Sequence, residues 1–327
     1  MQVGVIGTGY AAKLRLQALK ADPRVTAVGV AGHDRDRTAD FAALHGAIAS
    51  PDFQQLLAQP DLALVIVATA NHHHGEMVQQ ALQAGKHVIV EYPLALDVAT
   101  AEQLIALARQ HQRLLHVEHI ELLGGVHFAL KAALPRIGKV LYARYVTLKP
   151  ERPAPRRWTY HHHEFGFPLM GALSRLHRLV DLFGPVNRVT SQAQFWPIAG
   201  EPESSPYYAS CVCSAQLQFH SGVLAEVTYG KGEAIWTAKR TFEVQGELGA
   251  IALDGEQGVL IQGDTPEPLA VGGRRGLFAK DTTAVLDHLL TGTPLYIQPE
   301  ASLYTLKVAA AAQQAAQTGT AIAPDAL

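Results

Sequence analysis

Cysteine is almost missing from this chain: of 327 residues only Cys211 and Cys213 carry a thiol. The pair lies in "YYASCVCSAQLQF", where a strand would put both side chains on one face with Cα atoms near the upper limit for a disulfide. A reduced pair of small apolar residues is expected, and with it a reducing, cytoplasmic compartment. Long hydrophobic runs are missing too. The longest, Leu62–Ala70, is far short of the about 20 residues that span a bilayer. A strand-like segment begins at Gln2 with no basic or extended apolar stretch before it, so no secretory leader is expected. Nor is one sign of charge in excess: 27 Lys and Arg meet 29 Asp and Glu, for a net −2. That balance excludes global attraction to nucleic acid or to an anionic membrane. What is present is apolar bulk, 48% of the residues, enough for roughly two domains with full-sized cores.

The first third alternates short apolar runs with amphipathic stretches. "VGVIG", "VTAVGVA", "ALVIVAT", "HVIVE" and "LLHVEHI" read as strands. "YAAKLRLQALKAD", "RDRTADFAALHG", "HGEMVQQALQAG" and "DVATAEQLIALARQHQ" read as the helices between them. Continuous Val/Ile/Leu runs in this order describe a parallel sheet covered on both faces. After about residue 120 the pattern changes. One helix, "GGVHFALKAALPRIG", precedes alternating segments: "KVLYARYVTLK", "NRVTSQAQFW", "ASCVCSAQLQFH", "VLAEVTYGK", "RTFEVQGELGAIAL" and "GVLIQG". Turns rich in Gly, Pro, Asp and Ser separate most of them, as in a large antiparallel sheet. "RRGLFAKDTTAVLDHLLTG" and "EASLYTLKVAAAAQQAAQ" close the chain as helices. The expected fold is α/β: an N-terminal Rossmann doubly wound parallel sheet over 1–120, then an α+β domain over 121–327 with a large, mostly antiparallel open sheet.

Gly7-Thr8-Gly9-Tyr10-Ala11-Ala12 has the form GxGxxA between a strand and a helix. The glycines permit a tight turn and close backbone approach to a pyrophosphate, which the helix N-terminus then attracts. An NAD site places Asp or Glu at the end of the second strand for the ribose hydroxyls. Here Gly32 and His33 occupy that place, with Arg35 and Arg37 following. Without the carboxylate a 2′-phosphate is not repelled, and an arginine can bind it. NADPH is the expected cofactor and NADH the second choice, because Asp34 lies close enough that a register shift of two would reverse the preference.

"ALVIVATANHHHGE" and "ALQAGKHVIVEYP" resemble the Gfo/Idh/MocA oxidoreductases, whose nucleotide domain carries an AT-P-N-x-x-H…A-GKHV-EKP pattern. Thr69, Asn71, His74, Gly85, Lys86, His87, Glu91 and Pro93 match it. The resemblance implies that Thr69, Asn71, His74 and Glu91 join Gly7, Thr8, Gly9, Tyr10, Ala11, Gly32, His33 and Arg35 around the cofactor. The chain departs from the family at two places. Tyr92 stands at the lysine of EKP, and the second-domain D-x-G-x-H-x-x-D pattern falls on Ser174–Asp181, with Ser174 and Arg178 for its Asp and His. A lysine and an oriented histidine serve alcohol–ketone chemistry on sugars and polyols, so their loss argues against that route. His177 points about 100° away round a helix and is a poor substitute.

Within the family, EYP, "LLHVEHIELLGGVH", "RWTYHHHEFGFPL", "ALSRLHRLVDLFG", "YGKGE" and "RRGLF" are similar to the biliverdin reductases of cyanobacterial type. That resemblance implies NADPH-dependent reduction of biliverdin to bilirubin, with hydride delivered to the central methine carbon and the important arginine at Arg175. The chemistry is self-consistent. A methine carbon between two pyrrole-type rings accepts hydride once negative charge is relieved on a ring nitrogen, and no hydroxyl has to lose a proton. Tyr92 can line a flat cleft while Arg175 polarises the pigment or orders a water, with direct proton donation its second role.

The propionates of the linear tetrapyrrole need cations: Arg178, Lys231 and Arg274-Arg275 are candidates, and a salt bridge from Arg178 to Asp181 is an equal alternative. His162, central in the His161–His163 triplet, belongs to a loop rich in rings that can stack on a pigment. Neither this triplet nor His72–His74 is expected to bind a metal, because adjacent side chains diverge. Glu91 and Glu118 sit at strand ends where ligands bind, Glu91 as a general acid or as a backbone hydrogen-bonding group, and His119 and Glu121 follow as possible substrate contacts. Monomer and homodimer are equally compatible with the pattern. Two other functions compete: an NAD(P)-dependent sugar or polyol dehydrogenase, which should keep one of the two missing groups, and a non-catalytic dinucleotide sensor, which would bind NADPH without turnover.

Overall fold

A computed structural model describes residues 1–202 and 204–327. The chain divides into two compact units, Met1–Ile120 with Gly276–Leu303, and Glu121–Arg275 with Tyr304–Leu327. The expected second domain, 121–327, is therefore not one continuous stretch: residues 276–303 return to the first unit.

The first unit contains β1 (Gln2–Ile6), α1 (Tyr10–Ala21), β2 (Ala27–Ala31), α2 (Arg35–His45), β3 (Ile48–Ala49), α3 (Phe53–Leu57), β4 (Leu62–Val67), α4 (Asn71–Gln83), β5 (His87–Val90), α5 (Val98–Gln110) and β6 (Leu115–Val117). The strands pair in parallel in the order β3-β2-β1-β4-β5-β6. The direction of winding reverses between β1 and β4, and in such sheets ligands bind outside the carboxyl ends of the strands at that reversal. Helix starts are set locally. Asp34, Asp52 and Asp97 cap α2, α3 and α5, each carboxylate accepting a first-turn backbone N–H at 2.7–2.9 Å. Val3, Val5, Val30, Leu64, Ile66 and Ile89 form a core with Ala12, Leu16 and Leu19 of α1. The short β3 and α3 were not anticipated, and the "LLHVEHI" strand stops at Val117 because a 3-10 turn, Ile120–Leu123, follows.

The second unit begins with α6 (Gly125–Ala133) and β7 (Val140–Pro150). It continues through α7 (His162–Phe165), α8 (Pro168–Gly171), α9 (Ser174–Phe183), β8 (Val186–Pro197), β9 (Tyr208–Phe219), β10 (Leu224–Gly232), β11 (Lys239–Gly246), β12 (Gly249–Asp254), β13 (Gln257–Ile261) and β14 (Glu267–Leu269). The sheet order is β14-β13-β12-β11-β7-β10-β9-β8, and only β7 and β10 pair in parallel. Along β9 the residues Cys211, Cys213, Ala215, Leu217 and Phe219 are buried while Ser214, Gln216 and Gln218 are exposed, the signature of a sheet covered on one face. Both thiols are free and buried. "RTFEVQGELGAIAL" is two strands, because Gly246 pairs with Gly249 across a two-residue turn.

The remaining helices are α10 (Leu277–Thr291) and α11 (Pro299–Thr318). α10 belongs to the first unit, where Val285 and Leu286 join its core. No described helix is long and apolar enough to cross a membrane.

Candidate active site

At the β1–α1 turn Gly7 adopts φ +128°, and a Cβ there would collide with the Ala68 carbonyl oxygen. Gly9 occupies the N-cap of α1 with no side-chain cap, and a Cβ on it would meet nothing within 4 Å. The first N–H groups of α1 thus lack a side-chain cap, and the glycine before them leaves room for close approach, a cradle that fits a pyrophosphate. Thr8 is half-buried and Tyr10 exposed. At the end of β2, the exposed Asp34 caps α2 through one carboxylate oxygen, Oδ1. Gly32 is crowded: a Cβ would lie 2.5 Å from Thr38 Oγ1 and 3.2 Å from Thr8 Cγ2. His33, Arg35 and Arg37 are exposed there.

The β4–α4 turn holds Thr69 and the buried Asn71. His74 does not line the cofactor. Its ring is 1% exposed, with Nδ1 2.7 Å from the Pro93 carbonyl and Nε2 3.3 Å from that of Thr69, so it ties two strand-end loops together. Burial pushes its pKa down, consistent with a neutral imidazole donating to Pro93. Lys86 and His87 also have scaffold roles: Lys86 Nζ donates to the Gln59 carbonyl at 2.8 Å, and His87 Nδ1 accepts the Leu114 N–H at 3.0 Å.

Glu91 and Tyr92 follow β5, with a cis Tyr92-Pro93 bond. Glu91 is not placed as a general acid. Its Oε1 accepts from Arg15 Nε at 2.9 Å, and Arg15 also pairs with Asp281. Asp281 in turn contacts His116 Nε2 at 2.7 Å and accepts from the Tyr296 hydroxyl at 2.6 Å. Burial alone would raise the Asp281 carboxyl, but Arg15 and His116 hold it well below the usual range. Glu118 behaves oppositely: burial, then the charge of Glu91, pushes its carboxyl well above the usual range. Its Oε2 accepts the Ile120 N–H at 2.8 Å. Glu118 and His119 are 2% and 1% exposed, so neither meets a substrate as expected. His119 instead stacks on Tyr92, with centroids 5.6 Å apart and planes 7° from parallel, and its Nε2 is 2.9 Å from Ser302 Oγ. Tyr92 is half-buried on this backing.

In the second unit Arg175 opens α9, half-buried, with Nη1 donating to Ser174 Oγ at 3.0 Å and its guanidinium 5.3 Å from the Tyr229 ring centroid. Arg178 is neither a propionate ligand nor the partner of Asp181. It is 1% exposed, donates to Glu121 Oε2 at 2.9 Å and to the Tyr145 hydroxyl at 3.3 Å. Asp181 pairs with His127 and Lys131 instead. Glu121 is a hub rather than a substrate contact: Arg240 reaches the same oxygen at 3.2 Å and Arg274 the other one. Burial opposes its charge, yet these arginines hold its carboxyl below the usual range. Arg274 keeps partial exposure beside Glu121. Lys231, expected at a propionate, is instead buried among aromatic rings. His162 is exposed, its ring packed 4.7 Å from Phe195 and 4.9 Å from Tyr208. His177 is turned to Thr305 Oγ1 at 2.7 Å, and burial pushes it down to about 4.

Sequence reasoning missed Arg15, Asp281 and Arg240. Arg15 did carry a signal: it lies on the Ala12–Leu16–Leu19 stripe of α1, and a core arginine requires a buried carboxylate somewhere.

A family model described as "Oxidoreductase family, NAD-binding Rossmann fold" (GFO_IDH_MocA) matches residues 1–119, and its "C-terminal alpha/beta domain" companion matches 132–323. Biliverdin reductase from Synechocystis sp. PCC 6803, solved with biliverdin and NADP+, is 49% identical, with TM-score 0.93 over 97% of this chain and 99% of that one. Biliverdin reductase A of Mus musculus is 33% identical over 58% of this chain, and the match spans 60% of the mouse protein's length. Levoglucosan dehydrogenase in complex with NADH and levoglucosan superposes with TM-score 0.85 over 99% of both chains, but at 18% identity that likeness shows the fold alone.

Proposed function

The chain belongs to the Gfo/Idh/MocA oxidoreductase family, and on that premise we propose that it reduces biliverdin to bilirubin with NADPH, at the central methine carbon. The observation that carries this reading is the full-length likeness to the Synechocystis enzyme that holds biliverdin and NADP+. The geometry agrees with it. Tyr92, at the family's lysine position, is stacked on His119, and Arg178, at its histidine position, is sealed against Glu121. Arg178 is held by Glu121 and cannot relay a proton from a sugar hydroxyl, and Tyr92 lacks the cationic amine of the family's lysine.

NADPH, when bound, supplies the hydride. The uncapped N-terminus of α1 would bind its pyrophosphate, and Arg35 and Arg37, exposed beside Gly32, would take the 2′-phosphate. Tyr92 presents a flat, backed ring to a planar pigment. Arg175 places a fixed positive charge to relieve the negative charge that hydride addition puts on a pyrrole nitrogen, and orders the water that delivers the proton. Arg274, partly exposed beside Glu121, and the exposed Arg275 are the cations left from the sequence candidates for a propionate. A cytoplasmic location fits the two free thiols.

An absorbance time course with biliverdin and NADPH, run beside NADH and a panel of sugars, tests the reading. Loss of the red biliverdin band with growth of a blue-absorbing band is the expected result. A flat spectrum while a polyol reduces NADP+ would overturn it, and binding of NADPH with no turnover would favour a sensor.

Arg35→Ala combined with Arg37→Ala is expected to raise the KM for NADPH about tenfold and leave that for NADH unchanged, the worth of one charge-assisted bond at ~1.4 kcal/mol. Equal changes for both cofactors would move the 2′-phosphate site elsewhere. Gly32→Asp is the less clean probe, because Thr38 must give way first.

A further inference from the structure

Lys231 lies on β10 and is 4% exposed. Its ammonium donates to the Thr159 carbonyl oxygen, which also accepts the Tyr208 hydroxyl at 3.1 Å. Four rings surround it, with centroids 3.3 Å (Phe165), 4.9 Å (Tyr160), 5.4 Å (Tyr208) and 5.9 Å (Tyr229) from Nζ. Thr159, Tyr160 and Phe165 belong to one segment, 158–165, which also carries His161–His163. Phe165 stacks on Tyr229 at 6.4 Å and 25°, and Tyr229 is the ring beneath the Arg175 guanidinium. One buried cation therefore joins the ring-rich segment to the floor that supports Arg175. No step assigned above uses it.

We propose that Lys231 is a positioning residue: its caged ammonium holds the 158–165 segment and the Tyr229 ring in the arrangement that binds the tetrapyrrole. This rests on the biliverdin reading above. A desolvated cation over several rings is the strong case of the cation–π contact, so the grip depends on the proton that makes the amine a cation.

The groups facing Lys231 are Cys211 from β9, Lys149 from β7, Glu151 and Arg157 from the stretch after β7, and the phenols of Tyr160, Tyr208 and Tyr229. Burial pushes Lys231 down to about 7. Burial pushes the Cys211 thiol and the Tyr160 and Tyr208 phenols up, so they stay protonated at neutral pH. Burial lowers Lys149 as well, and His162, packed on Tyr208, is lowered in the same way and is neutral there. Arg157 and Glu151 pair with each other at 2.8 Å. The sign follows. Below about 7 the cage holds an ammonium; above it a neutral amine still donates to Thr159 but loses its attraction to the rings.

Steady-state kinetics from about pH 6 to about pH 8.5, spanning the Lys231 titration, read this directly. In the wild-type protein the KM for biliverdin is expected to rise about fivefold across that interval, with kcat and the KM for NADPH nearly constant. Lys231→Met should show the high KM at every pH. Lys231→Arg, charged throughout, should hold the low KM to the alkaline end. A wild-type KM that does not change with pH, or a Met variant that follows the wild-type profile, overturns the proposal. Should the Met variant not fold, the Arg variant decides: a profile that still bends near neutrality overturns it. No biliverdin turnover at any pH defeats the functional reading itself, whereas turnover with an unbent profile defeats only the role of Lys231.

Discussion

Arg175→Ala lowers kcat for biliverdin more than tenfold and leaves NADPH affinity within about twofold; that is the expected result, since losing ~1.4 kcal/mol of transition-state stabilisation already gives the factor. The side chain is suited to the task. It is half-buried at the start of α9, steadied by Ser174 Oγ at 3.0 Å and by the Tyr229 ring. A charge held that way does not have to reorganise when negative charge appears on the pigment. Arg178, three residues on, cannot replace it, because Glu121 and Tyr145 already hold its guanidinium. Arg175→Lys should recover part of the rate, since the charge returns without the planar fork. Turnover of the alanine variant at the wild-type rate would remove Arg175 from the mechanism. Loss of NADPH binding alongside would make the effect one of folding.

The largest expected effect on stability belongs to Arg15→Ala. The substitution leaves Asp281 and Glu91 without their cation in the interior of the first unit, and breaking a buried pair from one side costs about 3–5 kcal/mol. Urea unfolding, with an unchanged slope and a lower midpoint, measures it. A midpoint shift worth under ~1 kcal/mol would mean that water reaches the carboxylates.

The same network sets two opposed pH dependences. Asp281 is held below its ordinary 3.8, so its contribution is present above that pH and is lost as pH falls through the lower folded value. Glu118 is held above its ordinary 4.5, so its contribution is complete below 4.5 and is lost as pH rises toward the folded value. Glu118→Gln should therefore gain stability on the wild-type protein at about pH 8 relative to about pH 5. A constant difference between the two proteins would show that Glu118 is ionised in the fold.

What could be read in advance was what neighbours in sequence decide. The GxGxxA turn, the parallel strand rhythm and the Tyr92 and Arg178 departures depend on spacing within a few residues. His74 shows the limit: a motif marked it, but only three dimensions reveal that it serves the Pro93 loop and not the cofactor. Arg178 shows it again, since Asp181 lies one helical turn away and yet Glu121, 57 positions earlier in the chain, wins the guanidinium. Arg15 and Asp281 are 266 residues apart, and no periodicity links them. The amphipathic pattern of α10 announced a helix without saying which sheet it would cover. Lys231 was recognised as a cation, but the rings that bury it come from several elements, so its chemistry depends on their assembly.

The return of α10 to the first unit has a consequence for how the protein is made. Synthesis delivers Arg15 to the growing chain long before Asp281, Val285 and Leu286, and everything belonging to the second sheet is translated in between. The nucleotide-binding unit is begun first and completed near the end, so it cannot fold as a finished body behind the ribosome in the way a contiguous N-terminal domain does. Cutting the gene after residue 120, where the two folds change over, would thus yield a fragment that keeps the glycine turn, all six strands and the Arg15–Glu91 pair but loses Asp281, the fully buried one of the arginine's two carboxylates, to the other piece.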